Sequence, residues 1–214
     1  MVSAQKRALR KASLDILKGI PAEARTEADA RIRQWVKQMP QYRQADKLFM
    51  FVGTGWEVDT WPLAEEALAD GKQVAVPRCL PMDSGPGAQK PGGVPGDAAF
   101  AGGVMEACLI KSRASLRQVP PMNLWEPEPG TPVLQPSAVA FALIPCITCD
   151  ISGRRLGRGG GYYDRFLKQG SFTKVALCRQ VVLQETLPTQ AHDEKVDFVV
   201  TEDGILDCRH VRKT

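Results

Sequence analysis

Two hundred and fourteen residues, 43% hydrophobic and 24% charged, suit one ordinary globular domain and exclude both a disordered chain and a disulfide-stapled miniprotein. The formal charge of +4 is too small to imply polyanion binding by itself. No apolar run is long enough to span a membrane, and Lys6, Arg7, Arg10, Lys11, Asp15 and Lys18 break up the N-terminus, so neither a membrane span nor a secretory leader is expected and a cytoplasmic location is.

In chain order, Leu9, Ala12, Ile16 and Leu17 recur at helical spacing over residues 3–18, closed by Gly19 and Pro21. Lys6 and Arg10, four apart, rise from one face of that helix and are placed to grip a single anion. A second helix is predicted from Ala22 to Met39, stopped by Pro40. Residues 1–47 hold 11 Lys/Arg against 5 Asp/Glu, the remainder 17 against 19, so the positive excess is N-terminal. Its bland explanation is a solvated helix face, and its sharper one an arm that meets a phosphate-bearing ligand.

The rhythm then changes. Residues 47–52 form a short, nearly continuous apolar run ending at Gly53, as expected of a strand buried on both faces. A helix from Trp61 to Asp70 and a strand over 73–76 complete a β-α-β unit, which predicts a partly parallel sheet with ligands at the carboxyl ends of its strands. Residues 81–103, with seven Gly and four Pro, read as a loop insertion within the one domain, and residues 120–136, with six Pro, as an extended surface connection. A strand over 139–144, a loop over 145–161, a helix over 162–168 and strands over 174–178 and 196–201 follow.

Six cysteines without a leader read as reduced thiols. Cys146 and Cys149 spell one C-x-x-C, which is either half a zinc site, a redox pair or two buried thiols. A zinc site would need a second ligand pair, and a redox pair would normally open a helix, so buried thiols are the reading adopted.

One segment carries the chemistry: Gly153-Arg-Arg-Leu-Gly157-Arg158-Gly159-Gly160-Gly161-Tyr162-Tyr163-Asp164-Arg165. Five glycines in nine residues, between a buried strand and a helix start, let successive amides turn toward one anion, and Arg155 and Arg158 add guanidinium forks. Neither G-x-x-x-x-G-K-[ST] nor G-x-G-x-x-G is present. On composition alone a flexible loop and an R-G-G-like RNA contact remain alternatives.

The full spelling R-L-G-R-G-G-G-Y-Y-D-R closely resembles the signature of the 5-formyltetrahydrofolate cyclo-ligase family. The resemblance extends to Lys6 and Arg10 (K-x-x-x-R), Glu57-Val-Asp-Thr60 (E-[VI]-x-T), Glu126-Pro127 (E-P) and His192-Asp193 with Asp197, all in the family's order. It implies a three-layer α/β/α, Rossmann-like fold with a mostly parallel central sheet and helices before the first strand. The implied reaction is an ATP- and Mg²⁺-dependent ring closure of 5-formyltetrahydrofolate to 5,10-methenyltetrahydrofolate, through phosphorylation of the formyl oxygen, with release of ADP and phosphate.

By that resemblance Lys6, Arg10, Arg155, Gly157, Arg158, Gly159, Gly160, Gly161, Tyr162 and Tyr163 would hold ATP. Val52 and Glu57, with Arg158 to Tyr162, would meet the folate. Asp164 and Asp193 would bind Mg²⁺, and Arg155, Arg158 and Tyr162 would act in catalysis. Gly160 stands where some members carry Lys, and Met122 stands near the position of a folate-contacting aromatic, with Trp125 as its substitute. The implied partners are a reduced folate and ATP, with no nucleic acid or membrane, and the implied state is a monomer. Two rivals remain: a relative acting on a different formyl or amide substrate, and a non-catalytic phosphate- or RNA-binding protein.

Overall fold

Alternate residues of each central strand face opposite sides of one sheet, and that alternation builds the molecule. The structure, a computed structural model, describes residues 2–80, 103–119 and 124–210. The helices are α1 (Val2–Gly19), α2 (Ala22–Gln38), α3 (Pro40–Gln44), α4 (Trp61–Ala69) and α5 (Tyr162–Leu167). The central sheet contains β1 (Lys47–Met50), β2 (Gln73–Leu80) and β3 (Val104–Ile110). Two hairpin strands, β4 (Leu116–Val119) and β5 (Leu124–Pro127), precede β6 (Val133–Leu134) and β7 (Phe141–Pro145). The chain closes with β8 (Thr148–Cys149), β9 (Arg155–Leu156), β10 (Thr173–Leu177), β11 (Phe198–Thr201) and β12 (Gly204–Asp207).

The main sheet has the order β12-β11-β10-β7-β1-β2-β3-β6. Its five middle strands are parallel, and β12, β3 and β6 join antiparallel at the edges. Leu48, Met50, Val74, Val76, Phe141, Leu143, Val175 and Leu177 pack under α2, α3 and α4. Their neighbours Phe49, Ala75, Ala142, Ile144 and Ala176 pack on the other face against Leu17 of α1 and Phe166 and Leu167 of α5. The two faces make three layers, as expected. From β1 the chain runs outward to β2 on one side and returns to β7 on the other, so the strand order reverses between β1 and β7. A crevice opens at the carboxyl ends of such a pair.

Several local expectations are corrected. Pro40 does end α2, because the residue before a proline is driven out of the α region and Met39 is extended at φ −65°, ψ 126°; the same proline, with φ preset for a helix, begins α3. The strand expected over 73–76 continues to Leu80. Pro77 is tolerated because β1 accompanies β2 only as far as Ala75, which leaves Pro77 with β3 alone.

Residues 120–136 are more than a connection: Leu124–Pro127 pairs with β4 and Val133–Leu134 extends the main sheet beyond β3. The loop expected over 145–161 contains the β8–β9 hairpin. Buried Asp150 holds its turn, with Oδ1 accepting from Ser152 N (2.9 Å), Ser152 Oγ (2.7 Å) and Arg154 N (3.0 Å). Residues 81–102 of the expected insertion, and Met122, lie outside the described residues.

Candidate active site

The segment after β1 forms one wall of the crevice. Thr60 Oγ1 donates to Phe51 O at 2.5 Å and ties the strand end to the start of α4, while Val58 enters the core. Glu57 is left facing the crevice, its Oε2 accepting from Thr54 N (3.0 Å) and Thr54 Oγ1 (2.9 Å). The E-[VI]-x-T pattern is therefore mostly architecture that aims one carboxylate. Gly53 has no room for a side chain, since a Cβ would fall 2.1 Å from Val58 O.

The glycine-rich segment forms the opposite wall. It leaves the β8–β9 hairpin and meets α1, where Arg10 Nε donates to Gly157 O at 2.8 Å. Gly161, at φ 68°, starts α5 in a left-handed conformation that side chains resist. Only six residues long, α5 has a small dipole, so the positive field comes chiefly from side chains.

Those side chains form three pairs. Lys6, 5% exposed, donates to Asp193 Oδ2 at 2.5 Å and to Gln190 Oε1 at 3.3 Å. Arg155 Nη2 donates to Asp164 Oδ1 at 2.8 Å, which also accepts from Glu194 N at 3.2 Å, and the Arg155 guanidinium lies 5.7 Å from the Tyr163 ring centre. Arg158 crosses the crevice, with Nη2 3.0 Å from Glu57 Oε1 and 3.2 Å from Thr54 Oγ1, and its guanidinium lies 5.2 Å from the Trp56 ring centre. Each cation has a protein acceptor for which a phosphate oxygen would compete.

Burial alone would raise the Asp193 carboxyl. The hydrogen bond from Lys6, the Gln190 N–H and the charges of Lys6 and His192 outweigh it and hold the group below the usual carboxylate range. Burial pushes the Tyr163 phenol well above its ordinary value and also raises Tyr162, so both are protonated donors at neutral pH.

The structure sets Lys6, Arg10, Arg155, Gly157, Arg158, Tyr163, Asp164 and Asp193 on or against the glycine-rich wall and Glu57 on the opposite one. Tyr162 turns toward β3, where a Cβ at Gly103 would fall 2.2 Å from its hydroxyl, and Arg165 covers its ring at 5.2 Å. Asp197 accepts from Lys174 N at 2.8 Å and serves the sheet. His192 faces water.

A cleft of about 320 Å³ adjoins Glu57, lined by Val52, Gly53, Asp59, Trp61, Arg113 and Trp125 among others. Arg113 stands 5.6 Å from the Trp61 ring centre and 5.5 Å from that of Trp125. Sequence reading missed Thr54, Trp61 and Arg113. Thr54 was detectable as a hydroxyl three residues before Glu57, but nothing in sequence joins Arg113 to two distant indoles.

The fold and site define a doubly wound α/β protein with a cationic glycine loop facing a carboxylate across the switch point of its sheet, where open α/β sheets bind their ligands. The family model described as the 5-formyltetrahydrofolate cyclo-ligase family matches residues 2–202, and the chain belongs to that family of enzymes. It is 26% identical to the 5-formyltetrahydrofolate cyclo-ligase of Mus musculus, over 95% of this chain and 96% of that one. It is also 26% identical to the Mycolicibacterium smegmatis protein of the same name, over 94% and 96%. The 5,10-methenyltetrahydrofolate synthetase of Aquifex aeolicus, whose structure was solved by NMR, superposes with a TM-score of 0.76 at 27% identity, covering 98% of this chain and 95% of that one. The synthetase of Mycoplasma pneumoniae, at 18% identity and a TM-score of 0.67, shares the fold.

Proposed function

We propose that the protein converts 5-formyltetrahydrofolate to 5,10-methenyltetrahydrofolate at the expense of ATP, with Mg²⁺, releasing ADP and phosphate. The observation that carries this reading is the convergence, at the β1/β7 switch point, of the Lys6–Arg10 face of α1, the Gly157–Tyr163 loop and Glu57. The family match over residues 2–202 supplies the substrate class.

A formamide oxygen is a poor leaving group. Transfer of the γ-phosphoryl of ATP to that oxygen creates a good one; the neighbouring side-arm nitrogen of the folate then attacks the formyl carbon and releases its proton to solvent, the ring closes and phosphate departs with the oxygen. The protein need form no covalent bond, so its work is alignment and charge neutralisation. Lys6, Arg10 and the loop amides from Gly157 to Tyr163 hold the triphosphate. Arg155 and Arg158 neutralise charge as it develops on the transferred phosphoryl. Val52 and Glu57 position the folate in the adjoining cleft, with Trp61, Arg113 and Trp125 as its farther walls.

Asp164 and Asp193 suit Mg²⁺ by their chemistry: both offer hard carboxylate oxygens, Asp164 giving only Oδ1 to Arg155, and Asp193 giving Oδ2 to Lys6 with Oδ1 3.7 Å from His192 Nε2. Bound there with phosphate oxygens, Mg²⁺ would supply charge neutralisation on the triphosphate. The test is the appearance of the methenyl chromophore when the protein meets 5-formyltetrahydrofolate, Mg²⁺ and ATP. ATP turnover without that absorbance would indicate a different formyl or amide substrate.

A further inference from the structure

Three of the six free cysteines meet at one point, through topology rather than sequence spacing. Cys146 and Cys149 flank the turn that follows β7, and Cys178 follows the last residue of β10. Since β7 and β10 are parallel neighbours with Leu177 opposite Pro145, the residues just beyond them emerge side by side. The Sγ atoms of Cys146, Cys149 and Cys178 all lie within 4.8 Å of one another, with Cys149 and Cys146 at 3.2 Å. Cys149 and Cys178 are buried and Cys146 is half-buried. Among the described residues no other group of three or more His, Cys, Asp or Glu side chains is close enough to share an ion.

We propose that Cys146, Cys149 and Cys178 form a three-thiolate site for one Zn²⁺ ion. Zn–S bonds of about 2.3 Å place three sulfurs roughly 3.8–4.0 Å apart, so the trio reaches bonding geometry through small side-chain rotations. A thiolate set of this kind selects a borderline-soft cation and rejects Mg²⁺, which separates it from the carboxylates of the nucleotide site. The fourth position belongs to water: Cys146 borders a cavity of about 10 Å³, about one water in size, shared with Glu57, Arg179 and Trp56.

Three thiolates and Zn²⁺ carry one net negative charge, which needs a fixed cation nearby. Arg155 lies directly across the β8–β9 ladder from Cys149, and its Nε is buried without a hydrogen-bond partner. The same guanidinium reaches Asp164, so the metal would brace the hairpin from which the glycine loop springs. The missing second pair that counted against zinc in the sequence is replaced by one residue from a neighbouring strand and one solvent ligand.

The experiment titrates the reduced full-length chain with Zn²⁺ against a chromogenic chelator, and with Co²⁺ as a spectroscopic substitute. The expected result is one equivalent of Zn²⁺, and a tetrahedral Co²⁺ spectrum with sulfur-to-metal charge transfer of three-thiolate intensity. Cys178→Ser should weaken binding by at least about a hundredfold, more than a lost outer partner costs. Cys79→Ser, outside the trio, should leave it unchanged. Absence of stoichiometric binding, weak octahedral Co²⁺ bands, or binding that survives Cys178→Ser would overturn the proposal, as would a Cys146–Cys149 disulfide that persists under reductant and keeps the metal out. If Cys178→Ser does not fold, the wild-type Co²⁺ spectrum decides, because its charge-transfer intensity counts the thiolates.

Discussion

Arg158 and Lys6 are both cations paired with carboxylates, yet the structure gives them different work. The Arg158 side chain is 42% exposed, and an ion pair in that setting contributes little to stability. Arg158→Ala should therefore unfold within about 1 kcal/mol of the parent while losing roughly a hundredfold or more in turnover, the scale of one lost transition-state charge partner. Denaturant melts beside the absorbance assay separate the two; an unchanged rate would remove Arg158 from catalysis.

Lys6 is buried against Asp193, and there the consequence is a pH dependence. A carboxyl held below its unfolded value contributes stability that is full above that value, about 3.9, and drains away as pH falls through the folded value. Lys6→Met removes the main counterweight to burial, so the variant should be less stable near neutrality and should lose stability less steeply between about pH 5 and pH 3. Equal slopes in urea melts across that window would show that Lys6 does not set the Asp193 proton affinity.

At the scale of elements, the glycine loop and the segment after β1 depend on backbone that side chains cannot follow. Gly161→Ala would force a left-handed residue, at about 1–2 kcal/mol, and would set its Cβ 2.7 Å from Arg165 Nη1, the end of a flexible side chain that can swing away. Gly53→Ala meets a backbone carbonyl at 2.1 Å and cannot be relieved by rotation. Gly53→Ala is thus expected to be the more disruptive of the two, by thermal melts and by loss of activity through a displaced Glu57. A milder effect at Gly53 than at Gly161 would contradict the close approach.

The central strands and both long N-terminal helices were readable because each carries a strong local period and a Gly or Pro boundary. What went unread was non-local. Val133–Leu134 becomes a strand only because β3 lies beside it, and Pro77 stays in β2 only because β1 has already turned away. The candidate site followed the same rule: motif spelling pointed to Arg158, Lys6 and Glu57 as candidates, whereas the Arg113–Trp61–Trp125 stack and the Cys178 sulfur owe their positions to strand order.

For the whole molecule, the reversal of strand order between β1 and β7 turns three distant sequence segments into one site. Lys6, Glu57 and the Gly157–Tyr163 loop come from the first helix, the segment after β1 and the segment after β9. A ligand bridging them must stabilise the fold. ATP with Mg²⁺ at a hundred times its dissociation constant should add about 2.7 kcal/mol, or roughly 5–10 °C in Tm for a domain of this size. Lys6→Met or Arg155→Ala should shrink that shift, and a full shift in both variants would place the nucleotide elsewhere.

In the proposed reaction, this crevice couples ATP consumption to closure of the folate ring. That coupling is tested most directly by following methenyltetrahydrofolate absorbance and ADP release together, in one reaction containing 5-formyltetrahydrofolate, Mg²⁺ and limiting ATP. One methenyl product per ADP, abolished when ATP is omitted, is the predicted result. ADP release without the chromophore, or no turnover of either, would contradict it.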